Sequence, residues 1–402
     1  MDTRPHLQQG KLILSNNYKM EKIDDLIFAC KNHSQQVYFH IMNQDIESWL
    51  ANIGESDLAY ELIKIRESAD NIEAKISSTK KAASFHVERK SFWEKLKEVF
   101  SEAQKKPLSF LLAGRAGVGK SSTINTLLGR KEANVGRFRP TTKHCKTYES
   151  NAYGINYTVV DTPGLADSQG QDAEYVNEIR TAVKEIDCLW FVTILGESRV
   201  RTDETETIRC FSSAFGPAIW ERAVIVFTFA DKESADEFPD ILKERTELIQ
   251  EAIGKYCGKE IAQKIPAIAV ANDPKSLQEA PLPNGELWLG NLYTTVFKRI
   301  SEKGMIPFLL ATAQRLRLST GPENRSTQKS DGIENLINIT DAQRREIKQQ
   351  VIRNVEKKIN AGHIAVIATT GAAIGAALGP IGAVVGGAVG ATMGLLAWIF
   401  AD

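Results

Sequence analysis

The sequence predicts an α/β protein, with a mostly parallel, doubly wound sheet flanked by an N-terminal helical region and a C-terminal helical and glycine-rich hairpin. Three observations lead there. From Leu108 onward, short and nearly continuous apolar runs alternate with helical stretches, the pattern of strands covered on both faces. A glycine-rich turn, Gly114 to Ser121, joins the first of these runs to a helical stretch. Residues 361–402 hold nine of the chain's 28 glycines and a single charged side chain, Asp402.

In chain order, residues 18–70 carry apolar positions at helical spacing, among them Ile23, Leu26 and Ile27, then Ile46, Trp49, Leu50 and Ile53. A charged helix follows from about Thr79 to Lys106, stopped by Pro107. The strand-like runs are 108–114, 157–161, 188–194, 222–231 and 265–271, with helical stretches at 119–128, 172–186, 203–214, 233–256 and 289–303. Residues 319–332 have linker composition, and a polar helix at 333–360 leads into the glycine-rich tail. The expected domains are therefore 1–106, 107–305, 306–360 and 361–402.

Charge and cysteine usage narrow the function classes. The 402 residues balance 50 Lys+Arg against 50 Asp+Glu, leaving no basic field to hold nucleic acid. Five scattered cysteines without a CxxC pair or metal-ligand spacing read as reduced thiols, and the N-terminus lacks a secretory pattern. A cytoplasmic location follows as the expectation.

The chemistry is carried by Gly114-Arg115-Ala116-Gly117-Val118-Gly119-Lys120-Ser121, followed by Ser122, which fits G-x-x-x-x-G-K-[ST] between a strand and a helix. Glycines let the backbone curl so that successive N–H groups face phosphate oxygens, and the helix N-terminus adds partial positive charge. Lys120 reaches the β- and γ-phosphates in such a loop, and the Ser121 hydroxyl ligates Mg²⁺. Val160-Asp161-Thr162-Pro163-Gly164 ends the next apolar run, placing the Asp161 carboxylate near the metal and the Gly164 amide near the γ-phosphate. Between the two motifs, Thr141 or Thr142 can close onto the metal, with Thr142 preferred. Thr228-Phe229-Ala230-Asp231 stands at the end of a later strand. A carboxylate there accepts N1–H and the 2-amino group of guanine, which adenine cannot offer, so Asp231 argues for GTP and GDP. The usual pattern is N-K-x-D. Here Thr228 replaces the Asn and Phe229 the Lys. Asn272, after the next strand, stands where a last base contact is expected.

Taken in order, these residues resemble the Toc/AIG (GIMAP-like) family of P-loop GTPases, of the translation-factor-related class. The likeness runs from about Leu108 to Ile300. It includes GVGKSSTINTLLG (117–129), VVDTPGLADS (159–168), FGPAIWERAVIVFTFAD (215–231), and Leu282-Pro283-Asn284-Gly285 with Trp288. The resemblance implies a domain that pairs face to face with a second copy, an arginine of one reaching the nucleotide of the other. Arg199 and Arg201 are the candidates. Leu165 follows DTPG where Ras-like GTPases carry a water-orienting Gln, so intrinsic hydrolysis is expected to be slow and stimulated in trans. A separate stretch, Tyr38 to Ala59, resembles a small bacterial helical domain of uncharacterised function, in which His40 and Trp49 read as cap and core.

In the tail, glycines 371, 375 and 379, then 382, 386, 390 and 394, repeat every four residues on either side of Pro380. Small residues at that spacing permit close helix packing, which suggests a hairpin. Its second arm, Ile381 to Phe400, is uncharged and long enough to cross a bilayer. The expectation is a Mg²⁺-dependent GTPase switch whose hairpin associates with a membrane or drives oligomerisation, with a protein partner the sequence does not identify. Two alternatives remain: a nucleotide-gated soluble scaffold with negligible hydrolysis, and a membrane-permeabilising effector triggered by GTP state.

Overall fold

The computed structural model describes residues 7–8, 10–115, 117–129, 146–152, 155–161, 177, 180–181, 185–272, 279–312, 315–318 and 336–359. Ala116, Thr141, Thr142, Gly164, Leu165, the 319–332 linker and the glycine-rich tail lie outside them. The chain divides into two compact units, one built on Met1–Glu98 and the other on Val99–Val355.

The first unit opens on an antiparallel meander of β1 (Leu7–Gln8), β2 (Lys11–Ile13) and β3 (Lys19–Met20), strands too short to announce themselves by alternation. Helices α1 (Ile23–Asn32), α2 (Ser34–Met42), α3 (Asp45–Asn52) and α4 (Ser56–Glu67) follow. Their apolar faces meet in one core around Leu26, Ile41, Ile46, Trp49 and Leu62. Trp49 is fully buried and its indole N–H donates to the Gly10 carbonyl at 3.0 Å, pinning the first hairpin onto α3. His40 Nδ1 and Asp45 Oδ2, both buried, lie 2.8 Å apart across the α2–α3 turn. Trp49 and His40, read from the sequence as core and cap, are thus both buried and bonded within this unit. A long helix, α5 (Ile72–Lys105), carries the chain across the boundary between units and begins seven residues earlier than its charge pattern suggests.

The second unit holds a six-stranded sheet of order β5-β6-β4-β7-β8-β9, made from β4 (Leu108–Ala113), β5 (Lys146–Ala152), β6 (Ile155–Asp161), β7 (Cys188–Ile194), β8 (Ala223–Thr228) and β9 (Ala267–Ala269). All neighbours are parallel except β5, which runs antiparallel to β6 at the edge. β5 reads KTYESNA, with no apolar run, and so escaped the sequence pattern. The chain passes from β4 out to the edge strand β5, comes back through β6 beside β4, and crosses to β7 on the other side of β4. Doubly wound sheets bind ligands at such a reversal, beyond the carboxyl ends of the strands.

Helices α6 (Lys120–Leu128), α7 (Thr202–Phe215), α8 (Phe238–Cys257), α9 (Lys259–Gln263) and α10 (Leu289–Arg299) accompany the sheet. β7 and β8 are buried along nearly their whole length, as their continuous apolar sequences require. The segment expected as a linker from 306 is in fact part of this unit. α11 (Met305–Thr312) is buried at every residue, and Phe308 stacks on Tyr293 at 5.0 Å. β10 (Leu316–Leu318) and β11 (Ile337–Ile339) form a parallel pair, and α12 (Asp341–Ile359) follows, belonging to this unit as far as Val355. Apolar residues on every face of α11 demand burial, which a solvated linker cannot provide.

The four described cysteines, Cys30, Cys188, Cys210 and Cys257, are free and buried. Burial pushes the Cys30 and Cys188 thiols up to about 12, far from the range of a reactive thiolate.

Candidate phosphate and base site

β4 delivers the chain to the glycine-rich loop at the sheet's reversal point, and each described glycine there answers a different constraint. Gly114 has φ +148°, and a Cβ on it would lie 2.1 Å from the Val192 carbonyl oxygen of β7. Gly119 has φ +95° and sits against Thr228, whose Cγ2 would be 3.2 Å from an added Cβ. Gly117, at φ +79°, has open space where a side chain would stand. The loop is thus pressed onto the sheet at both ends and open at its crest, the shape a phosphate chain needs for close approach to main-chain amides. Gly114→Ala is expected to cost about 1–3 kcal/mol through overpacking, measurable as a lowered unfolding midpoint in chemical denaturation.

Lys120 opens α6 with its ammonium turned under the loop, donating to the carbonyls of Gly114 at 2.8 Å and Arg115 at 3.1 Å. No acidic residue stands in the first turn of α6, so its outward-facing amides and dipole favour an anion. At the other end of the helix the buried Arg315 donates from Nη2 to Thr126 O at 3.1 Å and from Nη1 to Leu127 O. A cation there complements the dipole and adds donors to the carbonyls of the helix's last turn. Sequence reading passed over Arg315, because nothing local marks a residue whose partner lies 188 positions away.

Asp161 ends β6 in register with Leu112, two residues before the loop begins. Thr228 is buried, and its hydroxyl donates to Val118 O at 2.6 Å and Thr193 O at 3.1 Å. It therefore braces the phosphate loop from below. Asn272 donates from Nδ2 to the Thr123 hydroxyl at 2.8 Å, tying the segment after β9 to α6. Fully buried Trp288 fixes that segment by donating to Ala271 O at 3.0 Å. Glu279, raised above the ordinary carboxylate range by burial, accepts the Leu289 N–H at 2.6 Å and so caps α10.

After Thr228 the chain turns through Phe229, at φ +57°, into a short 3-10 turn, Ala230–Lys232. A left-handed backbone is unfavourable for a bulky side chain and persists only where its surroundings fix it. Here Ala230 N–H donates to Val270 O at 3.3 Å, and Lys232 Nζ lies 4.4 Å from the centre of the Phe229 ring. The turn thus presents an aromatic ring backed by a cation next to the exposed carboxylate of Asp231.

The loop between β7 and α7 borders this ground. A Cβ on Gly196 would fall 2.3 Å from Glu233 Oε1, so the loop abuts the base-side turn. Glu197 pairs with Arg115 of the phosphate loop and, at 3.7 Å, with Arg201, which also lies 3.5 Å from Asp203. Arg199 is exposed, and its side chain has no polar partner among the described residues.

A G-x-x-x-x-G-K-S loop between β4 and α6, at the reversal point of a parallel sheet, defines a P-loop nucleotide-binding domain. Residues 108–264 match the AIG1 family model, and residues 17–171 match the RsgA GTPase model. The domain is of the Toc/AIG1 type. Translocase of chloroplast 34 from Pisum sativum is 27% identical over 200 residues, spanning 47% of this chain and 64% of that protein. The match therefore covers less than two thirds of that relative's length. Among solved structures, Toc33 from Arabidopsis thaliana in complex with Mg²⁺ and GMPPNP is 26% identical, with 56% of this chain and 94% of that chain covered at a TM-score of 0.41. A structure of the chloroplast translocon components atToc33 and psToc159, described under the importance of dimerisation for their GTPase activity, is 25% identical, covering 53% of this chain and 91% of that chain at a TM-score of 0.41.

Proposed function

We propose that the chain binds GTP with Mg²⁺ and hydrolyses it slowly alone and faster when two copies pair across the nucleotide. The observation that carries this reading is the convergence of a braced phosphate loop and the Asp231 turn on one end of the sheet, with the exposed Arg199 on the loop beside them. The backbone from Gly114 to Gly119, with Ala116 among its amides, and the opening turn of α6 at Lys120, Ser121 and Ser122 receive the phosphates. Ser121, Asp161 and Thr142 would hold Mg²⁺, which when bound neutralises charge on the phosphate oxygens. The Gly164 amide steadies the terminal phosphate. Asp231 accepts from guanine, and Phe229 offers its ring to the base. Thr228 and Asn272 hold the loop and α6 in place for these contacts.

Of the two arginines, Arg199 is the one assigned to act on the partner copy. Arg201 lies 3.7 Å from Glu197 and 3.5 Å from Asp203 of its own chain, whereas the Arg199 side chain has no polar partner among the described residues. With Leu165 unable to orient water, an arginine supplied in trans is worth ~10³–10⁵-fold in other GTPases. Single-turnover hydrolysis at high protein concentration is expected to fall by about 100-fold or more in Arg199→Ala, and by less than about tenfold in Arg201→Ala. Equal losses would remove the assignment. Asp231→Ala is expected to reduce the preference for GTP over ATP, read by competition between the two nucleotides.

The output end of the proposed switch is the tail. No helix among the described residues is long and apolar enough to cross a membrane, and residues 361–402 lie outside them. Their chargeless, small-residue sequence next to the basic 342–360 stretch supports association with an anionic membrane surface facing the cytoplasm. Flotation with vesicles, comparing the full chain with one ending at residue 360, tests this. Recovery of both in the soluble fraction with either GDP or a non-hydrolysable GTP analogue would remove it.

A further inference from the structure

Behind the loop that carries Arg199 lie two charges shut off from water. Arg245 on α8 and Glu204 on α7 have side chains 1% and 3% exposed, with Nη2 and Oε1 2.6 Å apart. Burying two ions carries a desolvation penalty that apolar side chains of the same volume avoid, so the pair is not explained by packing alone.

The remaining bonds show what it holds. Arg245 Nη1 donates to the Arg199 carbonyl at 2.9 Å, Nε to the Ile194 carbonyl at 3.4 Å, and Nη2 also to Thr193 Oγ1 at 3.2 Å. Glu204 Oε2 accepts the Arg201 N–H at 2.9 Å, and its Oε1 accepts the Thr193 hydroxyl. One buried guanidinium and its counter-ion thus fix the main chain where β7 ends and at both arginine positions. Glu197 fastens the same loop to the phosphate loop through Arg115.

We propose that Arg245, with Glu204 as its counter-ion, is the positioning residue that presents Arg199 to a second copy of the chain. The inference rests on the reading above that Arg199 acts in trans. A guanidinium contributes to a transition state only when held in place, and a misplacement of about 1 Å can cost ~10²-fold. A loop freed from Arg245 still pairs but delivers Arg199 poorly.

The test is full-length protein carrying Thr193→Val, Glu204→Leu and Arg245→Met together, compared with Arg199→Ala. Replacing a whole buried ion pair by apolar groups of similar volume commonly preserves the fold. The expected result is an unfolding midpoint and GTP affinity close to those of the unaltered chain, unchanged pairing by sedimentation, and a concentration-stimulated rate lowered by about 10–100-fold. A purely structural role would lower the midpoint, affinity and pairing together. If Arg199→Ala abolishes the stimulation and the triple variant keeps it in full, the positioning role is overturned while the trans reading stands. If Arg199→Ala keeps the stimulation, the trans reading falls and this inference with it. Should the triple variant not fold, Arg245→Lys decides instead. Its single ammonium can meet Glu204 but cannot also span Thr193, Ile194 and Arg199, so full stimulation in that variant overturns the proposal.

Discussion

Lys120→Met is expected to lower GTP affinity by about 100-fold or more while leaving the sheet intact. The side chain does two things that the substitution separates. Its ammonium braces the loop by donating to Gly114 O and Arg115 O, and in the nucleotide complex it meets phosphate oxygens. Methionine fills the same space without a donor, so the loop loses both its internal brace and its charge. Thr228, donating to Val118 O from below, still holds the far end of the loop, which is why the fold survives. Equilibrium titration with a fluorescent, non-hydrolysable GTP analogue reads the affinity, and thermal unfolding without nucleotide reads the fold. A loss of affinity smaller than about tenfold would mean that the loop binds through its backbone alone.

The second large effect is on stability. Arg245→Ala alone leaves the Glu204 carboxylate buried without its ion-pair partner, and breaking a buried pair from one side costs about 3–5 kcal/mol. For a unit of this size that corresponds to a fall in unfolding temperature on the order of 10 °C. The asymmetry with the paired apolar replacement is the informative part. One-sided removal strands a charge, whereas two-sided removal abolishes the desolvation penalty along with the bond. Calorimetric unfolding of both variants checks the contrast, and equal destabilisation would indicate that the cost lies in packing, not charge.

Much of this site could be read before any coordinates. The phosphate loop was legible because the chemistry leaves few choices: Gly114 must clear Val192 O, Gly119 must clear Thr228, and Lys120 must stand at a helix start. The parallel strands were legible because burial on both faces requires continuous apolar runs. β5 was not, since an edge strand with a polar sequence carries no such mark, and the pairs of short strands at β1–β3 and β10–β11 are set by tertiary contacts. Gly290 illustrates the point. A Cβ there would lie 2.0 Å from Asn338 O, a closeness between α10 and β11 that no local pattern encodes.

Thr228 and Asn272, expected from sequence order to line the nucleotide site, bond to the protein, Thr228 through its hydroxyl to the Val118 carbonyl and Asn272 through Nδ2 to the Thr123 hydroxyl. Arg245 did leave a signal. It shares the buried face of α8 with Phe238, Ile249, Ala252 and Ile253, and an arginine on an apolar stripe requires a buried partner. The partner, Glu204, lies on the next helix face over and is found only in three dimensions.

The most direct measurement is GTP turnover per molecule across a wide range of protein concentration, in full-length protein with Mg²⁺ present. The expected result is a rate per molecule that rises with concentration toward a plateau in the unaltered chain and stays flat in Arg199→Ala. A constant rate per molecule for the unaltered chain across the whole range would contradict hydrolysis coupled to pairing.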